Sequence, residues 1–139
     1  MKIIRNKIYH LEFTIPLPDS SVIFYSLKNR CIKTNKNILF DKSTNSNDFK
    51  ISKNGIIKIC NEGLYNLYWI NNLINDRYLV LYINNKQIDT TFKNIGFTLN
   101  EKLNKDDTIF IKNISSNSLI LNKPSIEGLP TYKFIITKL

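Results

Sequence analysis

Apolar and polar residues alternate in short runs along most of the chain, and residues that favour turns separate the runs. Alternation with a period of two is typical of a β-strand that buries one face. The strand-like runs are residues 8–15, 21–27, 38–40, 49–60, 63–74, 77–83, 86–92, 95–103, 108–114, 118–121 and 131–139. Frequent short strands of this kind predict an all-β fold, a sandwich or barrel of about ten antiparallel strands.

Residues 63–74 (GLYNLYWINNLI) also fit the periodicity of an amphipathic helix. We interpret them as a strand, because Tyr, Trp, Leu and Ile dominate the segment and strand-like runs flank it. The only good helix N-cap residue that precedes the segment is Asn61.

Pairs that contain asparagine predict tight turns between strands. Asn54-Gly55 is a favoured pair for a type I′ hairpin turn, because both central residues of that turn need a positive φ. Asn84-Asn85 is a second turn signal. The polar stretch 41–48 is expected to form a loop or an exposed edge.

Length and composition indicate one globular domain. The chain has 139 residues, of which 42% are hydrophobic, so it can bury one core, and residues 1–139 are expected to form a single domain. It contains no Ala and only 4 Gly, and it is rich in Ile, Tyr and Phe. β-Branched and aromatic side chains fit a half-buried pleated surface, so this composition also favours strands.

The net charge of +9 raises the question of an anionic partner. Lysine supplies 17 of the 20 cations and arginine only 3, and the lysines are spread along the chain. Recognition of nucleic acid relies heavily on the arginine fork, so we expect no nucleic-acid partner and a solvated lysine surface instead.

The sequence predicts no membrane span, since no stretch approaches the roughly 18 apolar residues that a span needs. Residues 1–25 do not resemble a secretory signal either, because His10, Glu12 and Asp19 interrupt any apolar segment.

The residues that carry chemistry are few. His10 is the only histidine, so a catalytic triad or a histidine-rich metal site would have to include it. Cys31 and Cys60 are the only cysteines, and they form either one disulfide or two buried thiols. One His and two Cys do not complete a tetrahedral zinc site without a carboxylate. We therefore expect no enzyme, no catalytic residues, no metal and no cofactor.

Two further features are compatible with ligands but fit structural roles better. The pair Asp106-Asp107 offers carboxylates of the kind that calcium prefers, although its place in a polar stretch suggests a turn. The four glycines are isolated from one another, so no glycine-rich phosphate cradle exists.

Several segments resemble the tumour necrosis factor and complement component 1q superfamily. The segment 61–68 (NEGLYNLY) resembles the Gly-x-Tyr that opens the long central strand in that family. The preceding residues resemble the family's approach to this strand: Phe40-Asp41, a polar loop, Phe49, Asn54-Gly55 and Ile59-Cys60.

Later segments continue the resemblance in the same order. Residues 81–86 (LYINNK) resemble the family's apolar-x-Asn-Gly turn. Residues 103–109 (LNKDDTI) resemble its Leu-x-x-Gly-Asp-x-apolar turn, with Asp106 in place of the usual Gly. Residues 134–139 (FIITKL) resemble the final strand, and the resemblance spans residues 38–139.

The resemblance implies a two-sheet jelly roll that forms a homotrimer, with aromatic side chains of the inner sheet at the threefold axis. Carried onto this sequence, the main axial candidates are Tyr68 and Phe134, and the supporting candidates are Tyr65, Tyr82, Phe97, Phe110 and Tyr132. The alternative for each is the core of a single subunit or a lone surface position, since alternation does not tell which face meets a partner.

Three functions remain open at the level of sequence. The first is a trimeric adhesive or structural head at a cell, spore or virion surface, of the type that tips collagen-like spore-surface glycoproteins, although no Gly-X-Y stalk is present. The second is a cytokine-like ligand that binds a receptor, and the third is a monomeric β-sandwich that binds carbohydrate. A sugar site would need an aromatic platform, and Trp69, the only Trp, is expected on the face opposite Tyr68. The partner, protein or glycan, is not specified.

Overall fold

The structure is a computed structural model that describes residues 21–44, 46–71, 79–88 and 96–139. These residues form antiparallel strands and turns, and none of them is helical. The strands are β1 (Ser21–Ser26), β2 (Arg30–Ile32), β3 (Lys42–Ser43), β4 (Phe49–Ile51), β5 (Ile57–Ile59), β6 (Gly63–Asn71), β7 (Leu79–Ile83), β8 (Lys86–Gln87), β9 (Gly96–Leu103), β10 (Thr108–Asn113), β11 (Leu119–Leu121) and β12 (Tyr132–Lys138).

Two five-stranded antiparallel sheets form the body of the fold. The first sheet has the order β3-β1-β12-β6-β9, and the second has the order β4-β5-β10-β7-β8. Apart from the hairpins β4–β5 and β7–β8, neighbouring strands in these sheets come from distant parts of the chain, as in a jelly roll. A small third sheet pairs β11 with β2. The predicted two-sheet jelly roll is confirmed, and the described residues form twelve strands where the sequence of the whole chain indicated about ten.

The core lies between the two large sheets. Phe49 of the second sheet contacts Phe24 and Tyr65 of the first, with ring centroids 6.2 and 5.6 Å apart. Alternate residues on β6 are buried: Tyr65, Leu67 and Trp69 are all 0% exposed. This alternation confirms that residues 63–71 form a strand, because a helix would bury positions three and four residues apart.

The β4–β5 hairpin has the predicted position but not the predicted turn type. Gly55 has φ 77°, whereas Asn54 does not have a positive φ, so the turn is not type I′. A Cβ atom at position 55 would lie 2.1 Å from the Ile38 carbonyl oxygen, so glycine is required by space as well as by φ.

The other two predicted turns use non-glycine residues with left-handed backbones. Asn84 and Asn85 have φ of 51° and 64°, as a type I′ turn needs. Asp106 has φ 72°, and it occupies the position at which the resembled family usually has glycine. Asn and Asp tolerate this conformation better than other side chains, which explains how the turn survives the replacement.

Some predicted elements lie outside the described residues, namely 8–15 and parts of 63–74, 77–83, 86–92 and 95–103. Within the described ranges, residues 38–40 are not a strand, and the polar stretch 41–48 contributes only the exposed two-residue edge strand β3. β2 was not predicted, because three residues with no clear alternation give no strand signal.

Candidate subunit interface

The outer face of the first sheet carries a band of half-buried apolar side chains. Ile23 on β1 pairs with Ile135 on β12, and Ile135 pairs with Tyr68 on β6. Directly paired residues in an antiparallel sheet point to the same face, so these three side chains form one row across the middle of the sheet. Tyr25 and Ile70 belong to the adjacent row, which they form with Lys133.

A polar row runs beside this apolar band. The hydroxyl groups of Ser21 and Thr137 share a hydrogen bond of 2.7 Å. Asn66 Nδ2 donates to Thr98 Oγ1 at 3.1 Å and to Asn100 Oδ1 at 2.9 Å. Because these groups satisfy one another within the sheet, they do not need an external partner. The face therefore has an apolar row through Ile135, with a hydrogen-bonded polar row on one side and the row that contains Lys133 on the other. Protein–protein interfaces also combine an apolar centre with polar surroundings.

Tyr68 lies on this outer face, as its predicted axial role requires. Its neighbour Trp69 points to the opposite face, into the core, and is 0% exposed. This confirms the expectation that the two side chains lie on opposite faces. Trp69 cannot serve as an exposed platform for a sugar ring.

Phe134, the other main axial candidate, has a different position. It pairs with Phe24 on one side and Trp69 on the other, and it is 0% exposed. Its ring contacts Trp69 and Phe97 with centroids 6.5 and 6.3 Å apart. The sequence placed Phe134 at an axis, but its parity on β12 directs it into the core of its own subunit. Its neighbour Ile135 holds the outward position.

Three supporting candidates also lie in the core: Tyr65, Phe97 and Tyr132. Tyr65 donates its hydroxyl to the Asn61 carbonyl at 2.5 Å, and Tyr132 donates to the Leu39 carbonyl. Burial raises the pKa of both phenols, that of Tyr132 to about 12. Their side chains thus pack and hydrogen-bond within one subunit, which is the alternative that the sequence left open.

The last two candidates, Tyr82 and Phe110, lie on the outer face of the second sheet. They are paired across β7 and β10, and their rings stack with centroids 5.0 Å apart and planes inclined by 7°. Lys112 Nζ lies over both rings, at 5.0 and 5.7 Å from the centroids. The core separates these residues from Tyr68, so they do not share its face.

A partly buried polar cluster lies beside Tyr132. Arg30 donates to Asp41 Oδ1 at 3.1 Å and to Ser26 Oγ at 3.4 Å. Burial alone would raise the pKa of Asp41, but hydrogen bonds from Ser26 and Arg30 outweigh burial and lower it. The cluster holds the segment after β2 against the first sheet, which is a structural role.

Cys31, Cys60 and the pair Asp106-Asp107 are described residues that the sequence offered for catalysis or metal binding. Cys31 and Cys60 are both unbridged, and Cys31 is exposed rather than buried. Asp107 accepts from the Asn104 backbone at 2.7 Å and from Asn84 Nδ2 at 2.9 Å, so it ties two turns together as a turn residue would. Residues 21–44, 46–71, 79–88 and 96–139 contain no cluster of three or more metal-ligating side chains. His10 lies outside these ranges.

Sequence reasoning missed the aliphatic members of the outer face, Ile23, Ile70 and Ile135. The sequence does indicate that Tyr68 points away from the face of Tyr65, Leu67 and Trp69, because these residues alternate with it along β6. The register between β1, β12 and β6 could not be predicted from the sequence, because it pairs residues more than 60 positions apart in the chain. Ile23 and Ile135 become neighbours of Tyr68 only through this register.

The fold of the chain is a jelly roll that is similar to several solved structures. The structure is similar to the crystal structure of murine APRIL at pH 5.0, with a TM-score of 0.55 and 11% identity over 86% of this chain and 98% of that chain. It is also similar to GITRL from bushbaby, with a TM-score of 0.52 and 15% identity over 84% and 91% of the two chains. GITRL from pika gives a TM-score of 0.50 and 18% identity over 70% and 88%.

These similarities show the fold of the chain, and GITRL and APRIL are ligands of the tumour necrosis factor family. The resemblance read from the sequence is thereby confirmed at the level of fold. No protein-family model matches the chain, and no curated protein matches it. In the described residues no helix is long and apolar enough to cross a membrane.

Proposed function

We propose that the protein is a non-enzymatic head module that assembles as a homotrimer through the outer face of the first sheet and binds a partner with the assembled surface. The observation that carries the proposal is the row Ile23, Ile135 and Tyr68, with Tyr25 and Ile70 beside it. A sheet face that is exposed to water carries polar side chains, whereas the row through Ile23, Ile135 and Tyr68 is apolar across three neighbouring strands.

Three copies are the proposed occupants of this face because the resembled superfamily buries the corresponding sheet at a threefold axis. An aromatic side chain such as Tyr68 suits such a contact, since it buries a large area and loses few torsions on ordering. Of the seven axial candidates, Tyr68 is the one whose position supports a role at the threefold axis. We propose that Ile23, Ile70 and Ile135, and not the other six candidates, accompany it in the interface.

The role of the assembled head is proposed as surface attachment or adhesion, at a cell, spore or virion surface. A cytokine-like ligand is the second candidate, and the similarity to GITRL and APRIL favours it. Both roles need a trimer and a protein or glycan partner. A monomeric carbohydrate-binding sandwich has less support, because Trp69 lies in the core.

A pair of matched tyrosine substitutions tests the assembly. Tyr68→Asp places a charge on the proposed interface, whereas Tyr82→Asp places the same charge on the outer face of the other sheet. We expect the Tyr68→Asp variant to be monomeric, because burying an unpaired charge in the interface is strongly unfavourable. Tyr82→Asp should keep the wild-type mass in light scattering. A folded Tyr68→Asp variant with the wild-type mass would contradict the proposal.

A further inference from the structure

A cleft opens on the second sheet, on the side of the molecule opposite the proposed interface. Its volume is about 610 Å³, within the range of small-molecule sites. The loop after β2, the turn between β4 and β5 and the turn between β7 and β8 surround it, and β10 forms its floor. The loop is fixed to β10, since Ile38 N donates to the Ile111 carbonyl at 2.7 Å and Asn35 N donates to the Asn113 carbonyl at 2.8 Å.

The charges around the cleft have one sign. Lys33, Lys36, Lys53 and Lys112 line it, and the described lining contains no Asp or Glu. None of these four lysines forms an ion pair with a carboxylate of the described residues, in contrast to Lys58, which pairs with Asp106 at 3.4 Å. Like charges around a concave surface reinforce one another and attract an anion.

The neutral lining is rich in side-chain amides. Asn35, Asn37, Asn54 and Asn85 lie among the lysines. Asn37 Nδ2 donates to the Asn54 carbonyl at 3.0 Å, which links two walls of the cleft. Amides both donate and accept hydrogen bonds, so they match the hydroxyl groups of a sugar.

The aromatic residues at the cleft do not offer a stacking surface. Phe110 is only 6% exposed, because Tyr82 stacks on it and Lys112 lies over both rings. Single-stranded nucleic acid is usually held by bases that stack on accessible aromatic rings, so the cleft lacks the feature that this ligand needs.

We propose that this cleft binds an acidic oligosaccharide, with the lysines contacting its carboxylate or sulfate groups and the amides contacting its hydroxyls. All of the lining belongs to one chain, so the site does not depend on the trimer. If the protein proves not to form a trimer, the cleft proposal still stands. If the cleft binds no sugar, the trimer proposal still stands.

The test compares two charge-matched triple variants of the full chain. The cleft variant is Lys33→Gln, Lys36→Gln and Lys53→Gln, and the control is Lys50→Gln, Lys105→Gln and Lys123→Gln, all at exposed positions outside the lining. Calorimetric titration uses a heparin-derived sulfated hexasaccharide, a polygalacturonate hexasaccharide that carries carboxylates only, and oligo-deoxythymidine.

We expect one or both acidic sugars to bind the wild type, and the cleft variant to bind about tenfold more weakly, since each exposed charge contributes modestly. The control should change affinity by less than about threefold. The two sugars distinguish sulfate from carboxylate recognition. The proposal is overturned if neither sugar binds, if the control loses as much affinity as the cleft variant, or if oligo-deoxythymidine binds more tightly than both sugars.

Discussion

Tyr68 lies directly opposite Ile135 across β6 and β12, and both side chains point away from the core of the subunit. The next pair in the ladder, Trp69 and Phe134, points the other way and is completely buried. One residue along the strand therefore separates a position in the core of the subunit from one on the outer face of the sheet. The predictions on Phe134 and Ile135 follow from this difference in parity.

Replacing Phe134 should strongly destabilise the subunit, whereas replacing Ile135 should mainly weaken assembly. Phe134→Ala removes a fully buried ring and is expected to lower the free energy of unfolding by about 3–5 kcal/mol. Ile135→Ala, on the half-buried outer face, should cost a folded monomer less than about 1.5 kcal/mol but weaken association. Urea unfolding followed by circular dichroism, combined with sedimentation velocity, measures both. Equal losses of stability in the two variants would contradict the assignment of faces.

Alkaline pH should destabilise the fold through Tyr132. Burial raises its pKa to about 12, against about 10 in the unfolded chain. Between these values the unfolded state releases the phenolic proton and the folded state keeps it, so the stabilisation present below about pH 10 is lost as the pH rises to about 12. The contribution is about 2–3 kcal/mol.

Tyr132→Phe isolates this contribution. The variant should be less stable than the wild type by about 1 kcal/mol near neutral pH, because the Leu39 carbonyl loses its donor. Its free energy of unfolding should then fall less steeply than that of the wild type above about pH 10. Parallel pH profiles for the two proteins would show that the pKa of Tyr132 is not raised in the folded state.

Much of the first sheet could be predicted from local sequence, and its assembly surface could not. The alternation Tyr65, Leu67, Trp69 fixed the strand and the opposite orientation of Tyr68, because period two is a local signal. The inward direction of Phe134 and the outward direction of Ile135 follow from the register of β12 between β1 and β6, which pairs Phe134 with Phe24 and Trp69 and which the local sequence does not give. The lysine cleft also could not be predicted from the sequence, because its walls come from three separate loops and turns.

Two glycines with left-handed backbones should respond differently to alanine. Gly55→Ala meets both an unfavourable φ of 77° and a carbonyl oxygen 2.1 Å from the new Cβ. Gly128→Ala meets only an unfavourable φ of 88°, with no atom within 4 Å. We expect Gly128→Ala to cost about 1–2 kcal/mol and Gly55→Ala distinctly more. Thermal unfolding of both variants measures the difference, and equal costs would show that the approach of Ile38 to Gly55 is looser than described.

The mass of the purified protein in solution tests the central claim most directly. Light scattering coupled to size-exclusion chromatography, at micromolar concentration, should give about three times the 16.3 kDa of the chain, because the outer face of the first sheet is proposed to close around a threefold axis. A mass of 16.3 kDa that persists as the concentration rises would contradict the trimer and the interface role of Tyr68 and Ile135.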